Sequence, residues 1–455
     1  MERREFLTLA AATAAAPLAW AQERRARALR AAPAKQALVG AGHPDTAVWA
    51  YDGSVPGPVL RYRQGERLRI EVGNALDADT TVHFHGIRLP NAMDGVPHLT
   101  QKPIARNGGK FLYEFDLPDA GTYWYHPHLG SPEQVGRGLY GALVVEERVP
   151  PAVDRDLVWV LSDWRLDREA KVVANFGNPR DASHAGRIGN TVTLNGAVRE
   201  TLEVRAGERI RLRLINASNA RIYGLKFEGH APQVVALDGQ PLAPHRPAND
   251  RVVLGPAERA DLILDCAGAQ GSTHRVIDDF YAGREYRLLE LRYSNEPAVV
   301  RAASPVPRLA PNRIPDPDLA AAERHRVVFG GGMMGAMPDQ REHKGLFWTV
   351  NGKPVHDGEH RHAPMLELRR NRSCLLELVN DTNWHHPIHL HGHVFRVLSR
   401  NGKPNPLQEW RDTVLLEPES RAEIAFVADN PGDWMFHCHV LEHQVTGMMA
   451  VVRVG

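Results

Sequence analysis

An all-β protein is predicted by three features of this 455-residue chain: a strand pattern that occurs three times, alternation of apolar and charged residues along it, and abundant turn residues. Glycine and proline number 39 and 33, and so much punctuation between short apolar runs favours strands over helices. The pattern occupies residues 61–74, 203–216 and 367–380, and each copy ends on an asparagine, Asn74, Asn216 and Asn380. Its period-two alternation is the mark of a strand with one solvated face. A second echo follows a few residues on, as Val82-His83-Phe84-His85-Gly86, Leu225-Lys226-Phe227-Glu228-Gly229 and Ile388-His389-Leu390-His391-Gly392. A third relates residues 120–128 to residues 431–439. Repetition at this scale implies duplicated structural units.

Taken from the amino terminus, residues 1–21 read as a processing signal. Arg3 and Arg4, an apolar run from Leu9 to Ala19, and Ala19-Trp20-Ala21 fit a twin-arginine export peptide, although Glu2 stands where Ser or Thr is more usual. Such a peptide would engage the export machinery and deliver the protein to the periplasm, or otherwise outside the cell. The apolar run is too short to span a bilayer and no other segment approaches that length, so no membrane anchor is expected. Three units are then expected at 22–149, 152–297 and 318–455, in keeping with the length of the chain. Pro150-Pro151 and the proline-rich stretch 297–317 would link them. A hydrophobic content of 43% allows real cores, and a net charge of +1 offers no basic field for nucleic acid. Three cysteines exclude a disulfide scaffold. Cys266 and Cys374 lie in strand-like runs as buried small hydrophobes, with a bridge between them as the alternative.

His437-Cys438-His439, followed by His443 and Met448, can serve two metal centres at once. On a strand Cys438 faces one way and His437 and His439 the other. A thiolate, histidines and a long axial methionine form the ligand set of a blue-copper electron-transfer site, and Cys438, His443 and Met448 supply three of them. The same His-x-His spacing occurs at His83 and His85, at His126 and His128, and at His389 and His391. Eight paired histidines exceed what one mononuclear site needs, so a polynuclear cluster is implied. His386 is left over to complete the blue site.

With these motifs the chain resembles the multicopper oxidases, the laccase-like family, over essentially the whole mature sequence. The resemblance implies three consecutive cupredoxin-like Greek-key β-sandwich domains, the outer two sharing copper and the middle one a spacer without ligands. It implies four copper ions: type 1 at His386, Cys438, His443 and Met448, type 2 at His83 and His389, and a type 3 pair at His85, His126, His128, His391, His437 and His439. The implied reaction is four one-electron oxidations of a phenol, an aromatic amine or Cu(I), coupled through Cys438, His437 and His439 to reduction of dioxygen to two waters. Asp94 matches the acidic residue that relatives place near the type 2 side, where it would relay protons; a plain turn aspartate before Gly95 is the alternative. Gln444 departs from the pattern, because many relatives carry a glutamate there and an amide cannot titrate. Glu442 has no matching role.

Met333, Met334 and Met337 precede the third repeat, where cuprous oxidases of the family carry a methionine-rich insertion; loop or core packing competes with a Cu(I) site. Trp384 and His385 either border a pocket for aromatic donors or pack against the blue site. His343, His356, His360 and His362 form a loose stretch expected on the surface. Three rival readings are a cuprous oxidase dedicated to copper detoxification in the periplasm, a copper nitrite reductase-like protein and a non-enzymatic cupredoxin scaffold. The surplus of histidine pairs argues against the second, and the complete ligand set against the third.

Overall fold

The structure is a computed structural model that describes residues 26–300, 304–356 and 363–455. The export signal expected at 1–21 and two histidines of the loose stretch, His360 and His362, lie outside the described residues. Of its other members, His356 is exposed and His343 half-buried. The strands form six sheets, two in each third of the chain. Stacked in pairs over apolar cores, they make three cupredoxin-like sandwiches. Among the described residues no helix is long and apolar enough to cross a membrane.

The repeated pattern forms the same element three times. Strands Arg67–Asn74, Arg209–Asn216 and Ser373–Asn380 each run parallel to the first strand of their unit, namely Arg27–Gln36, Arg155–Trp164 and Glu323–Gly331. On the other side each pairs antiparallel with Lys110–Asp116, Arg259–Asp265 or Arg421–Val427. Central placement explains the apolar half of the alternation, since those side chains face the core.

For the charged half, the solvated face expected from the sequence fails in the middle copy. Arg209, Arg211 and Arg213 are all buried. Arg211 pairs with Asp261 at 2.6 Å and, across to the first unit, with Glu147 at 2.7 Å. Arg213 takes Asp156 at 2.7 Å and donates to Thr122 at 3.0 Å. This face is an interface between units, and the acids on both sides compensate the desolvation of the guanidinium groups. The proline-rich stretch before the third unit also binds its neighbours: the Asn312 amide donates to Ala120 O and Gln240 Oε1, both at 2.8 Å. Cys266 and Cys374 are free and buried in different sandwiches, so no bridge joins them.

The asparagine that ends each copy turns the chain into the next strand. Asn74 Oδ1 accepts from Leu76 N, and its Nδ2 donates to Ala78 O and Ile104 O. Asn216 does the same with Ser218 N, Arg221 O and Leu254 O, and Asn380 with Thr382 N, Trp384 O and Glu417 O. One side chain thus satisfies three backbone groups of a buried turn, which no apolar residue can do. In the outer units the strand that follows carries the histidines; in the middle unit, Tyr223–Phe227 carries none. Replacing Asn216 by the similarly sized leucine should therefore cost about 3 kcal/mol, roughly 1 kcal/mol for each lost hydrogen bond. The shift of the urea midpoint measures this, and an unchanged midpoint would show that the corner contributes nothing.

Candidate metal centre

Strand register sorts the predicted ligands onto two sides. In the first unit His83 lies opposite His126, Phe84 opposite Tyr125 and His85 opposite Trp124. In the third, Ile388 lies opposite Cys438, His389 opposite His437 and Leu390 opposite Phe436. Phe84, Tyr125, Ile388, Leu390, Phe436 and Cys438 all enter the core, so alternation turns the intervening histidines the other way. Strands His83–His85 and His386–Leu390 are each followed by a glycine with positive φ, Gly86 at 86° and Gly392 at 67°. A side chain at Gly392 would strike the Trp434 ring, and one at Gly86 would strike Arg259 and Asp412.

The histidines of the first and third units meet in one buried group. His83 stacks on His391 with ring centroids 4.0 Å apart, and His85 on His389 at 3.8 Å. His437 Nε2 lies 3.0 Å from His391 Nε2 and 3.4 Å from His128 Nε2. His126 and His439 close the group at 5.1 Å between rings. None of the eight is more than 2% exposed.

Each ring has an outer and an inner nitrogen. His83 Nδ1 donates to the Asp94 carbonyl at 2.7 Å, and His391 Nδ1 to the Asp94 carboxylate at 2.9 Å. His389 Nδ1 donates to the Asp412 carbonyl at 2.8 Å, and His85 Nε2 reaches the Asp412 carboxylate at 3.1 Å. His126 and His437 donate to Pro127 O and Cys438 O. Anchored outer nitrogens leave inner ones without a partner: His83 Nε2, His85 Nδ1, His126 Nε2 and His389 Nε2, with both ring nitrogens of His439. Buried, unpartnered imidazole nitrogens that converge, those of His83, His85, His126 and His389 fixed from behind by an oxygen, are what a metal cluster requires.

Asp412 was not legible in the sequence. It is buried, and Arg259 of the middle unit grips both its carboxylate oxygens, with Asp238 behind Arg259 at 3.5 Å. Burial raises the Asp238 carboxyl above the ordinary range while Arg259 opposes this. The middle unit thus holds His85 and His389 in place without offering a ligand.

The second group lies on the core side. Cys438 Sγ is 3.5 Å from His386 Nδ1 and 3.7 Å from His443 Nδ1, and the two nitrogens are 3.1 Å apart. Met448 is fully buried, and its carbonyl accepts from Cys438 N at 3.1 Å. Burial pushes the thiol far up, so the thiolate needs a cation beside it. His386 Nε2 is held by Thr382 Oγ1 at 2.8 Å. His443 Nε2 donates to the His184 carbonyl at 2.6 Å. That carbonyl is one of three in a row from the middle unit: Ala182 O accepts from Trp348 Nε1 at 2.6 Å and Ser183 O from Met333 N at 2.7 Å. Trp348 covers His443 at 4.1 Å.

The remaining predicted residues also have definite places. Gln444 Nε2 stands 3.3 Å from His128 Nδ1. For His128 Nε2 to bind metal its Nδ1 must carry the proton, and the amide then turns to offer Oε1. Glu442 takes Arg187 N and Asn219 Nδ2, which ties the third unit to the middle one. Met333, Met334 and Met337 are exposed rather than core residues, at 41%, 75% and 39%. Trp384 donates to Met333 O at 3.2 Å and lies 5.3 Å from the His184 ring, while His385 packs against Phe280 of the middle unit.

Sequence profiles described as multicopper oxidase match residues 34–150, 155–274 and 335–455. Multicopper oxidase MmcO of Mycobacterium tuberculosis is 31% identical over 90% of this chain and 84% of its own length. The crystal structure of a multi-copper oxidase from Pseudomonas thermotolerans superposes with a TM-score of 0.83 at 38% identity, covering 94% of this chain and 98% of that one. A Campylobacter jejuni multicopper oxidase, described as a metallo-oxidase, has a TM-score of 0.78 at 26% identity, covering 94% of this chain and 90% of that one.

Burial, and next the neighbouring imidazoles, hold His85, His128, His386, His389, His391 and His439 well below the ordinary histidine range, as they do His126. His437 is lowered to about 4 and His443 to about 3. Unfolded histidines protonate near pH ~6.5, so the stability these residues contribute is present above that pH and is lost as it falls toward the folded values. With nine such groups, the loss reaches on the order of 10 kcal/mol by about pH 5.5, comparable to the stability of a whole domain. The metal-free protein should therefore unfold near that pH, and copper should carry it to lower pH. Calorimetry from pH 8 to 5 on both forms tests this; equal transition temperatures throughout would refute it.

Proposed function

Because this chain belongs to the multicopper oxidase family, we propose that the two histidine groups hold its copper as one type 1, one type 2 and two type 3 ions. The protein is a copper-dependent oxidase that couples oxidation of a reducing substrate to reduction of dioxygen. Type 1 copper takes His386, Cys438, His443 and Met448; type 2 takes His83 and His389; the type 3 pair takes His85, His126, His128, His391, His437 and His439. The observation that carries the assignment is the set of buried inner nitrogens without partners on His83, His85, His126 and His389, opposite outer nitrogens that each have one. When bound, copper supplies the one-electron redox chemistry that these side chains lack. Domain limits of 22–149, 152–297 and 318–455, and export of the folded protein to the periplasm by a twin-arginine signal, complete the reading.

The chain's own residues do the rest. Asp94 fixes His83 and His391, and its Oδ1, buried and without a hydrogen bond, is the atom suited to hold a proton for dioxygen reduction. Gln444 orients His128 but cannot deliver a proton. All four type 1 ligands are fully buried, so donors meet the half-buried His184 and Trp384 before any ligand. A phenol or aromatic amine fits such a surface. The exposed thioethers of Met333, Met334 and Met337 beside it favour Cu(I) as a second reading, that of a cuprous oxidase.

Cys438→Ser should abolish the intense blue absorption and donor oxidation while the far-ultraviolet circular dichroism stays that of a β protein. His391→Ala should keep the blue band yet leave it bleached under air after reduction. A blue Cys438→Ser variant, or normal oxygen uptake by His391→Ala, would overturn the assignment.

Gln444→Glu places a titratable carboxyl against His128 and should raise turnover at neutral pH, since a positioned general acid is worth on the order of 10²-fold. Asp94→Asn should lower it. Oxygen uptake at equal copper content, with the blue band as internal control, decides; if neither variant changes the rate, protons do not pass through these positions.

A further inference from the structure

The middle unit has a cleft that the copper sites do not use. It has a volume of about 980 Å³ and lies between residues 175–192 and residues 281–288. Five guanidinium groups line it, those of Arg165, Arg180, Arg221, Arg284 and Arg287, against one carboxylate, that of Asp181. Arg165 forms a two-pronged pair with Asp181 at 2.7 and 3.0 Å. Arg221 pairs with Asp163 at 3.0 Å, and Arg287 with Glu290 at 2.6 Å. Arg180 and Arg284 form no ion pair with any described residue and are exposed at the rim. Counted with the two acids behind the wall, the cleft keeps two unbalanced positive charges. Tyr281 supplies an aromatic wall, with the Arg221 guanidinium 5.7 Å above its ring.

We propose that this cleft binds anionic aromatic reductants, such as carboxylated or sulfonated phenols, and presents them beside the type 1 group. Planar guanidinium groups match the oxygens of carboxylates and sulfonates, the tyrosine ring offers a stacking face, and the volume accepts one or two aromatic rings. Unbalanced charge in a recessed cleft also raises the local concentration of anions. The link to the reaction is the short helix Pro179–Ser183: Arg180 and Asp181 line the cleft, while the carbonyls of Ala182, Ser183 and His184 hold Trp348, Met333 and His443. A donor on one face of this helix is adjacent to the segment that covers the type 1 histidine. Oxidation of the bound donor rests on the proposed oxidase function, whereas binding in the cleft does not.

The test compares ferulate with coniferyl alcohol, which share a ring and differ in the carboxylate. Equilibrium dialysis of the metal-free full-length protein at neutral pH should show ferulate bound more tightly than coniferyl alcohol, and more weakly as salt rises. Arg180→Gln combined with Arg284→Gln should weaken ferulate binding about tenfold for each guanidinium lost. Because both residues are exposed, folding should survive; charge reversal with Arg180→Glu and Arg284→Glu provides a second, stronger variant. In the copper-loaded enzyme the ratio of KM for ferulate to KM for coniferyl alcohol should rise by a similar factor. Equal ferulate affinity in wild type and both variants, or no preference for ferulate, would overturn the proposal. Arginine-dependent binding without oxidation of either donor would uphold the cleft and count against the oxidase reading.

Discussion

Alternation of side chains along the strand Gly432–Cys438 is the constraint on which the rest of the molecule depends. With Cys438 committed to the core of the third sandwich, His437 and His439 must point out of it, into the space that the first unit closes. A one-residue slip would exchange the two sides and dismantle both groups at once. The neighbouring strands therefore have to hold register, and the means are visible. Asn380 turns the chain into His386–Leu390, and Gly392 admits the Trp434 ring beneath it. The two groups of side chains are separated by a pleat rather than by distance along the chain.

The middle unit carries no ligand but touches both groups. At one end Arg259 holds Asp412, which in turn fixes His85 and His389. At the other, the His184 carbonyl fixes His443. Buried ions such as Arg259, Asp412 and Asp238 stabilise little in net terms, because desolvation offsets their attraction, yet breaking one pair leaves an uncompensated charge. Such a network rewards one arrangement of units over all others. Describing this unit as a spacer misses its part in orienting imidazoles.

Local signals were legible and tertiary ones were not. The His-x-His pairs, the cysteine between two histidines and the threefold strand pattern are features of neighbouring residues, so the all-β class and the members of both groups follow from spacing and parity. Arg209, Arg211 and Arg213 misled for the same reason: alternation shows that one face of a strand is charged, but not whether water or another unit meets it. Asp412 and His184 gave no signal, because their roles exist only once the middle unit docks. A conspicuous charge in a strand and an acidic residue after Arg411 become informative only with a partner chain segment in view. Met333, Met334 and Met337 were open between packing and binding, and their exposure removes core packing without choosing a ligand.

Alongside the Glu442 carboxylate, three consecutive main-chain carbonyls hold the middle unit to the side of Cys438 and His443. No single substitution at Ala182, Ser183 or His184 that preserves the backbone can delete those acceptors. The side chains at these positions are consequently decoupled from the grip they stand on. Ala182 and Ser183 are buried and only His184 reaches the surface, so a change of side chain at His184 alters what solvent meets there while the acceptor that orients His443 is inherited unchanged, a separation of variable and fixed parts within one residue.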